Sequence, residues 1–292
     1  MEGKTDMKRL LNIALDNAVA LGVVVIVLFL IIPLPTFLLD FLLIVNIGLA
    51  IMILMITMNI SEALEFSIFP SLLLVTTLFR LGLNVSSTRM ILRDGYAGEV
   101  IQNFGQLITG GNIVIGVVIF LIIVLVQFIV ITKGAERVAE VAARFTLDAM
   151  PGKQMAIDAD LSSGLINEQE ARARRQKIQK EADFYGAMDG ATKIVKGDAV
   201  MSIVITLINF VGGVIIGMVM GGGDFATVLQ TYSIVTIGDG LVSQLPALMI
   251  STATGMIVTR SVSDGSLNTD VISQFKAQPR AIMATGMILL ML

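Results

Sequence analysis

Runs of about twenty residues without a charge recur along this chain, and they constrain its fold more than any single motif does. Phe41–Ser61 holds no charged residue over 21 positions, enough for a helix to cross roughly 30 Å of hydrocarbon. Val100–Thr132 is uncharged and densest in apolar residues at Ile113–Ile131, Ala199–Gly223 is uncharged, and Phe225–Thr259 is interrupted only by Asp239. An apolar run at Ala18–Ile32 opens the series, a shorter one at Phe66–Phe79 carries Pro70 and stops at Arg80, and Ala281–Leu292 begins a seventh. Charged residues are 15% of the chain, against about 25% in a soluble domain. The fold expected is an all-α polytopic membrane protein: a helical transmembrane bundle with a small, mostly helical insert.

That insert lies between Thr132 and Ala199 and carries 11 of the 20 Lys and Arg residues. Cations concentrate on the cytoplasmic side of membrane proteins, so residues 133–197 are expected in the cytoplasm. Three regions follow: 1–132 with four spans, the insert 133–197, and 198–292 with further spans, cut off within the seventh. Four spans before the insert place the N-terminus in the cytoplasm too, where Lys4, Lys8 and Arg9 precede the first run. No small-residue cleavage site follows that run, so it reads as a retained span and not a signal peptide. The loop 260–280, with Arg260, Lys276 and Arg280, falls on the same side. Arg80, Arg89 and Arg93 disagree, falling nominally outside unless a polar, protein-lined part of the membrane domain holds them.

Within the insert, 133–147 continues the fourth helix and Met150-Pro151-Gly152 is expected to break it, because proline clashes in a helix interior. Asn167 followed by Glu170 resembles a capping box. Ala171, Ile178, Ala182 and Tyr185 then recur at helical spacing, with Arg172, Arg174, Lys177 and Lys180 as a solvated face.

Several chemistries are excluded. There is no cysteine and no histidine, which removes disulfides, the common nucleophilic triads and His-based metal hydrolysis. Proton chemistry must run on carboxylates, Lys, Arg, Tyr and water. No phosphate-binding glycine loop is present, so the chain is not an ATPase, and no enzyme activity or cofactor is expected. Asp158-x-Asp160 lacks the glycine and distal glutamate of a calcium loop. A net charge of −3 carries no nucleic-acid footprint.

Several features stand out inside or beside the apolar runs. Gly213, Gly217 and Gly221 are spaced by four, as are Ala247, Ser251 and Gly255, and such stripes let helices approach closely; these are packing seams, within a subunit or between subunits. Asp198 directly precedes the fifth run, with Lys193 a little over a turn before it. They read equally as an interfacial snorkelling cluster or as a proton-accepting carboxylate with a paired lysine. Gly238-Asp239-Gly240 followed by Pro246 suggests a broken helix holding an ion-site acid, although an external hairpin with a hydrated Asp239 is the favoured reading. Arg80 and Arg89, nine apart, point to opposite sides of a regular helix, and each needs a carboxylate, a carbonyl or water. Asp40 and Asn46 are lesser candidates, the former interfacial.

The polar segment RFTLDAMPGKQMAIDAD (144–160) has no core-packing pattern. It puts Asp148, Asp158 and Asp160 with Arg144 and Lys153 in 17 residues. Together with LSSGLINEQEARARRQ, FYGAMDGATKIVKGD, IGDGLVSQLPALMISTATG and TTLFRLGLNVSSTRMIL, it resembles the FHIPEP family. These are the large export-gate subunits of type III secretion systems, flagellar or virulence-associated, and the likeness leans to the flagellar branch. The resemblance implies a protein of the bacterial inner membrane that couples proton motive force to the export of unfolded proteins. It implies that Asp198 and Lys193 take part in proton coupling. Asp148, Arg89 and Asp239 are grouped with them, leaving Arg144, Lys153, Asp158 and Asp160 as a conformational motif. The resemblance also implies a homo-oligomeric ring of about nine copies among other export-gate membrane subunits and lipid. The export ATPase complex and chaperone–substrate complexes would be met through a C-terminal domain that lies, with an eighth span, beyond this sequence. Apart from the resemblance, a stand-alone proton- or ion-coupled transporter or channel fits the buried acids equally well, and a passive scaffold ring is a third reading.

Overall fold

A computed structural model of the protein describes residues 17–110, 112–129, 134, 136–221, 224–260 and 267–291. Regular structure among them is helical throughout: α1 (Ala18–Ile31), α2 (Thr36–Asn59), a 3-10 turn (Ala63–Phe66), α3 (Phe69–Asp94), α4 (Glu99–Thr109), α5 (Ile113–Ile129), α6 (Glu136–Ser162), α7 (Glu168–Gly221), α8 (Phe225–Val258), α9 (Leu267–Lys276) and α10 (Pro279–Met291). An apolar solvent demands this, since a helix satisfies its backbone polar groups internally. Among the described residues α2, α3, α7 and α8 are each long and apolar enough to cross a membrane, and α4 with α5 forms a fifth, bent candidate. Lys4, Lys8, Arg9 and Lys133 lie outside the described residues.

Three expectations are corrected. The third span does not stop at Arg80 but runs on to Asp94, ending on Gly95 in the left-handed conformation. Arg80 sits mid-helix because its face is turned to other helices, where a polar partner awaits it. The fourth run is not one straight helix: α4 and α5 are bent by 101° to each other, with Gly110 (φ 51°) closing α4. The Pro151 break is absent, and α6 continues through it. Proline removes one hydrogen bond, but α6 packs along α7 as an antiparallel hairpin. Ile157 and Leu161 meet Ile166, Ala171 and Ile178, and Lys153 bonds Glu181 across the pair at 2.8 Å.

The Asn167 cap is present, its Oδ1 accepting from the Glu170 amide at 2.8 Å. α7 then runs 54 residues without interruption, so the boundary at 197/198 falls inside one helix. Up to about Glu181 it lies in the hairpin, and from Phe184 onward it packs in the bundle. Lys177 pairs with Glu62 at 2.9 Å and Arg260 Nε donates to the Ser61 carbonyl at 3.1 Å, so the turn after α2 meets both α7 and the end of α8. Arg172, Arg174, Lys177 and Lys180 are all exposed, as expected of a solvated face, and Arg174 and Lys177 in addition pair with Asp160 and Glu62.

Within the bundle, Phe69, Leu73, Met188, Ala247, Ile250 and Ile257 belong to one buried cluster from α3, α7 and α8. Because lipid is as apolar as these side chains, the stabilisation comes from close packing rather than from leaving water. Glycine makes the closest approaches. A Cβ on Gly217 would stand 2.6 Å from the Tyr232 ring and 2.7 Å from Val228, and one on Gly213 would collide with the same ring. The 213/217 seam thus joins α7 to α8 within the chain. The surroundings of Gly221 lie outside the described residues. Ala247 and Ser251 are buried on α8, whereas Gly255 has open space at its Cβ position and does not extend their seam.

Candidate functional site

Every third or fourth residue of α3 from Thr76 is polar: Arg80, Asn84 and Ser87 follow, all buried. Such spacing places them on one helix face. Facing them, α7 offers Asp198 and Asn209, about three turns apart, and α8 offers Asp239 and Ser243, one turn apart. All four are buried, with Asp198 3%, Asn209 0% and Asp239 4% exposed. The three helices thus enclose a polar seam inside an apolar bundle.

Its bonds connect the helices pairwise. Arg80 and Asp198 form an ion pair between α3 and α7. Ser243 Oγ donates to Asn84 Oδ1 at 2.6 Å, joining α8 to α3. Asn209 Nδ2 donates to Asp239 Oδ2 at 2.9 Å, joining α7 to α8, with the Ser87 hydroxyl also beside Asp239. The seam is not saturated: Arg80 Nη1, Asp198 Oδ1 and Asn209 Oδ1 have no hydrogen-bond partner among the described residues. Burying ionic and polar groups is costly unless they are paired, and removing one partner leaves the other with that cost uncompensated.

The sequence placed Asp198 beside Lys193, and the structure pairs both differently. Five residues turn a helix by about 140° from the starting face, which separates the two. Lys193 instead bonds Asp189 at 2.7 Å, one turn back on its own exposed face, while the ion-pair partner of Asp198 is Arg80. Nor does Asp239 lie in a wet hairpin or a broken helix, since α8 runs continuously from Phe225 through Gly238, Gly240 and Pro246 to Val258. The two glycines serve close contact. A Cβ on Gly238 would strike the Ile101 carbonyl of α4, and one on Gly240 would stand 2.6 Å from the Phe120 ring of α5. Reciprocally, a Cβ on Gly105 of α4 would strike the Ile234 carbonyl.

Arg89 finds carbonyls. Its Nη1 donates to Ile31 O at 2.9 Å and its Nη2 to Leu30 O at 3.1 Å, satisfying the end of α1. Asp40 is more than interfacial: its carboxylate accepts from the amides of Glu99 at 3.0 Å and Val100 at 3.1 Å, capping α4 where the helix dipole favours an anion. Gly98 (φ 104°) makes room, since a Cβ there would collide with that carboxylate. Asn46 is buried on α2.

The 144–160 motif divides along α6. Asp158 pairs with Arg175, Asp160 with Arg174 at 3.1 Å and Lys153 with Glu181, all across to α7. Arg144 and Asp148 are exposed, four residues apart on α6. The residues that sequence reasoning missed are Asn84, Asn209 and Ser243, together with Arg80 as the ion-pair partner. The signal for Arg80 and Asn84 is the polar stripe 76, 80, 84, 87 within a hydrophobic helix; no such stripe marks Asn209 or Ser243.

The seam and the hairpin fall together within one known family. The sequence profile described as FHIPEP family covers residues 26–292, which include both. The chain belongs to the FHIPEP family. It is 56% identical over 277 residues to the flagellar biosynthesis protein FlhA of Bacillus subtilis (strain 168), covering 95% of this chain and 41% of that protein. It is 51% identical over 278 residues to the low calcium response locus protein D of Yersinia pestis, covering 94% and 40%. To FlhA of Salmonella typhimurium it is 50% identical over 272 residues, covering 91% and 39%. This FHIPEP chain therefore spans about two fifths of the length of these relatives. No solved structure matches it.

Proposed function

We propose that this chain is the membrane part of an export-gate subunit in the bacterial inner membrane, with residues 133–197 and the N-terminus in the cytoplasm. In this reading it couples proton motive force to the export of unfolded protein by a type III apparatus. The observation that carries the reading is α7: one helix bears Asp198 and Asn209 in the buried seam and Arg174, Arg175 and Glu181 in the ion-paired hairpin. A charge change in the seam alters which helices α7 is bonded to. Because α7 is uninterrupted, the hairpin moves with it. A potential of 100 mV supplies about 2.3 kcal/mol per charge moved, similar to a hydrogen bond to a charged group at about 1.5–3 kcal/mol.

The likeness to the Bacillus subtilis flagellar protein, at 56%, favours a flagellar apparatus, while the Yersinia protein at 51% and the Salmonella typhimurium flagellar protein at 50% are equally similar. Assembly as a homo-oligomeric ring with other gate subunits belongs to the same proposal. So does contact with the ATPase and chaperone–substrate complexes through the remainder of the longer relatives.

The test is a chimera in which residues 26–292 replace the matching part of the Bacillus subtilis relative in a strain lacking it. Secretion of flagellar subunits should return and should collapse on adding a protonophore. A chimera that assembles but secretes nothing removes the export assignment, and secretion indifferent to the protonophore removes the coupling.

A further inference from the structure

We propose that Asp239 carries a proton in the state seen here, as the acid half of a carboxylic acid–carboxamide pair with Asn209. This deepens the coupling reading, on which its functional meaning rests, by assigning the proton to one of the two buried acids. It is not the acid that the sequence singled out.

The charges come first. Asp239 is buried within a span, and the side chain that hydrogen-bonds it is Asn209, which is not a cation; the nearby Ser87 hydroxyl donates to the Asn84 carbonyl at 3.0 Å. The cations of α3 are engaged elsewhere: Arg80 by Asp198, Arg89 by the carbonyls of Leu30 and Ile31, and Arg93 by Asp94. Other helices packed on α8 bring little charge to its level. α2 carries only Asp40, held at the start of α4; α4 carries only Glu99, in its first turn; α5 carries none. α6 brings Arg137 and Glu140, paired with each other, beside Ala139, whose buried cluster includes Ile250 and Ile257, about three turns or more from Asp239. The part of α7 packed in the bundle carries Asp189 paired with Lys193, and Lys196 and Asp198, all of them about three turns or more from Asn209. α8 itself adds Tyr232, about two turns before Asp239. An ionised Asp239 would be a buried charge without a counterion, which a protein interior avoids by neutralising the group.

Asn209 supplies the second, independent observation. Its Nδ2 donates to Asp239 Oδ2, while its Oδ1 is fully buried without a partner among the described residues. A carboxylate only accepts hydrogen bonds, so an ionised Asp239 leaves that oxygen orphaned. A carboxylic acid has one O–H to donate. Given to Asn209 Oδ1, it closes a ring of two hydrogen bonds and satisfies both groups. Asp198 is the contrasting case, because the Arg80 guanidinium stabilises its ionised form. On release, the Asp239 O–H bond breaks and the proton passes to water. The carboxylate left behind keeps the Asn209 Nδ2 bond and competes with Asp198 for Arg80. The Ser243–Asn84 bond lies between them, one turn from each.

The test is infrared spectroscopy of this chain in lipid vesicles at neutral pH, with exchange into heavy water. A carboxylic-acid carbonyl band should be present and shift on deuteration. Asp239→Asn should abolish it, and Asn209→Leu should move it to higher frequency by removing its acceptor. The unaltered protein decides first, without relying on the folding of any variant: no such band at neutral pH overturns the proposal. A band that survives Asp239→Asn and disappears in Asp198→Asn overturns it too. Because the band is read without export, the outcomes separate. A band assigned to Asp239, with normal export by an Asp239→Asn full-length protein, would sustain the protonation and sink the coupling reading.

Discussion

The guanidinium of Arg80 closes on the carboxylate of Asp198 across the α3–α7 interface, with both groups almost wholly sealed from solvent. Breaking a buried pair by removing one partner typically costs about 3–5 kcal/mol, because the survivor is left charged and unpaired. Arg80→Gln and Asp198→Asn should each lose stability in that range. The double variant should lose less than the sum, as read from helix loss on denaturant titration in micelles. Strictly additive losses would mean the two groups do not depend on each other.

Export should separate from folding at the same pair. In the full-length protein Asp198→Asn should still assemble, while gradient-driven secretion is lost and Asp198→Glu keeps part of it. Secretion at the unaltered level by the Asn variant would remove Asp198 from the coupling route and strengthen the scaffold reading.

The α7–α8 seam predicts a contrast between two neighbouring positions. Gly217 meets Tyr232 and Val228, whereas Val219 is 79% exposed. Gly217→Leu should cost about 1–3 kcal/mol or more through overpacking, and Val219→Leu should stay within about 0.5 kcal/mol. Thermal unfolding in detergent compares them, and equal midpoints would show that the seam has slack.

On the hairpin, Asp148 is exposed and Lys153 is bonded to Glu181. Asp148→Asn should leave stability within about 0.5 kcal/mol, and Lys153→Gln should cost at most about 1 kcal/mol, as for other exposed pairs. Both should lower secretion in the full-length protein without affecting membrane insertion. Full secretion by Asp148→Asn would leave the motif a structural role only.

Topology is open to direct labelling. Lys4→Cys and Gln169→Cys should each react with a membrane-impermeant maleimide from the cytoplasmic face, and Asp224→Cys from the opposite face. Reaction of either of the first two from the periplasm would overturn the arrangement.

What the sequence disclosed follows from the range of the interactions concerned. The uncharged runs and the Asn167 cap depend on neighbours within a turn or two, and both appear in the structure. Pro151 carries a helix-breaking signal, but its local penalty is offset by packing along α7, which no window around residue 151 contains. Gly238 and Gly240 carried a helix-breaking signal, yet their reason is the approach of α4 and α5. Arg80 needs a partner that its own sequence neighbourhood does not hold, because Asp198 lies on a helix far along the chain. The stripe of Arg80, Asn84 and Ser87 was legible, but only as a face in search of a neighbour.

Gly105 and Gly238 meet with no side chain between α4 and α8, so backbone rests directly on backbone at their crossing. Such a joint has no cushion: the two helices can pivot on it but cannot slide without collision. Gly238 adjoins Asp239, so a tilt of α8 that begins at this acid turns on that crossing as on a fulcrum. The far side of the fulcrum is α4, whose first turn is tied to α2 by Asp40. Any tilt of α8 at the level of Asp239 would therefore meet α4 first, and through its capped first turn Asp40.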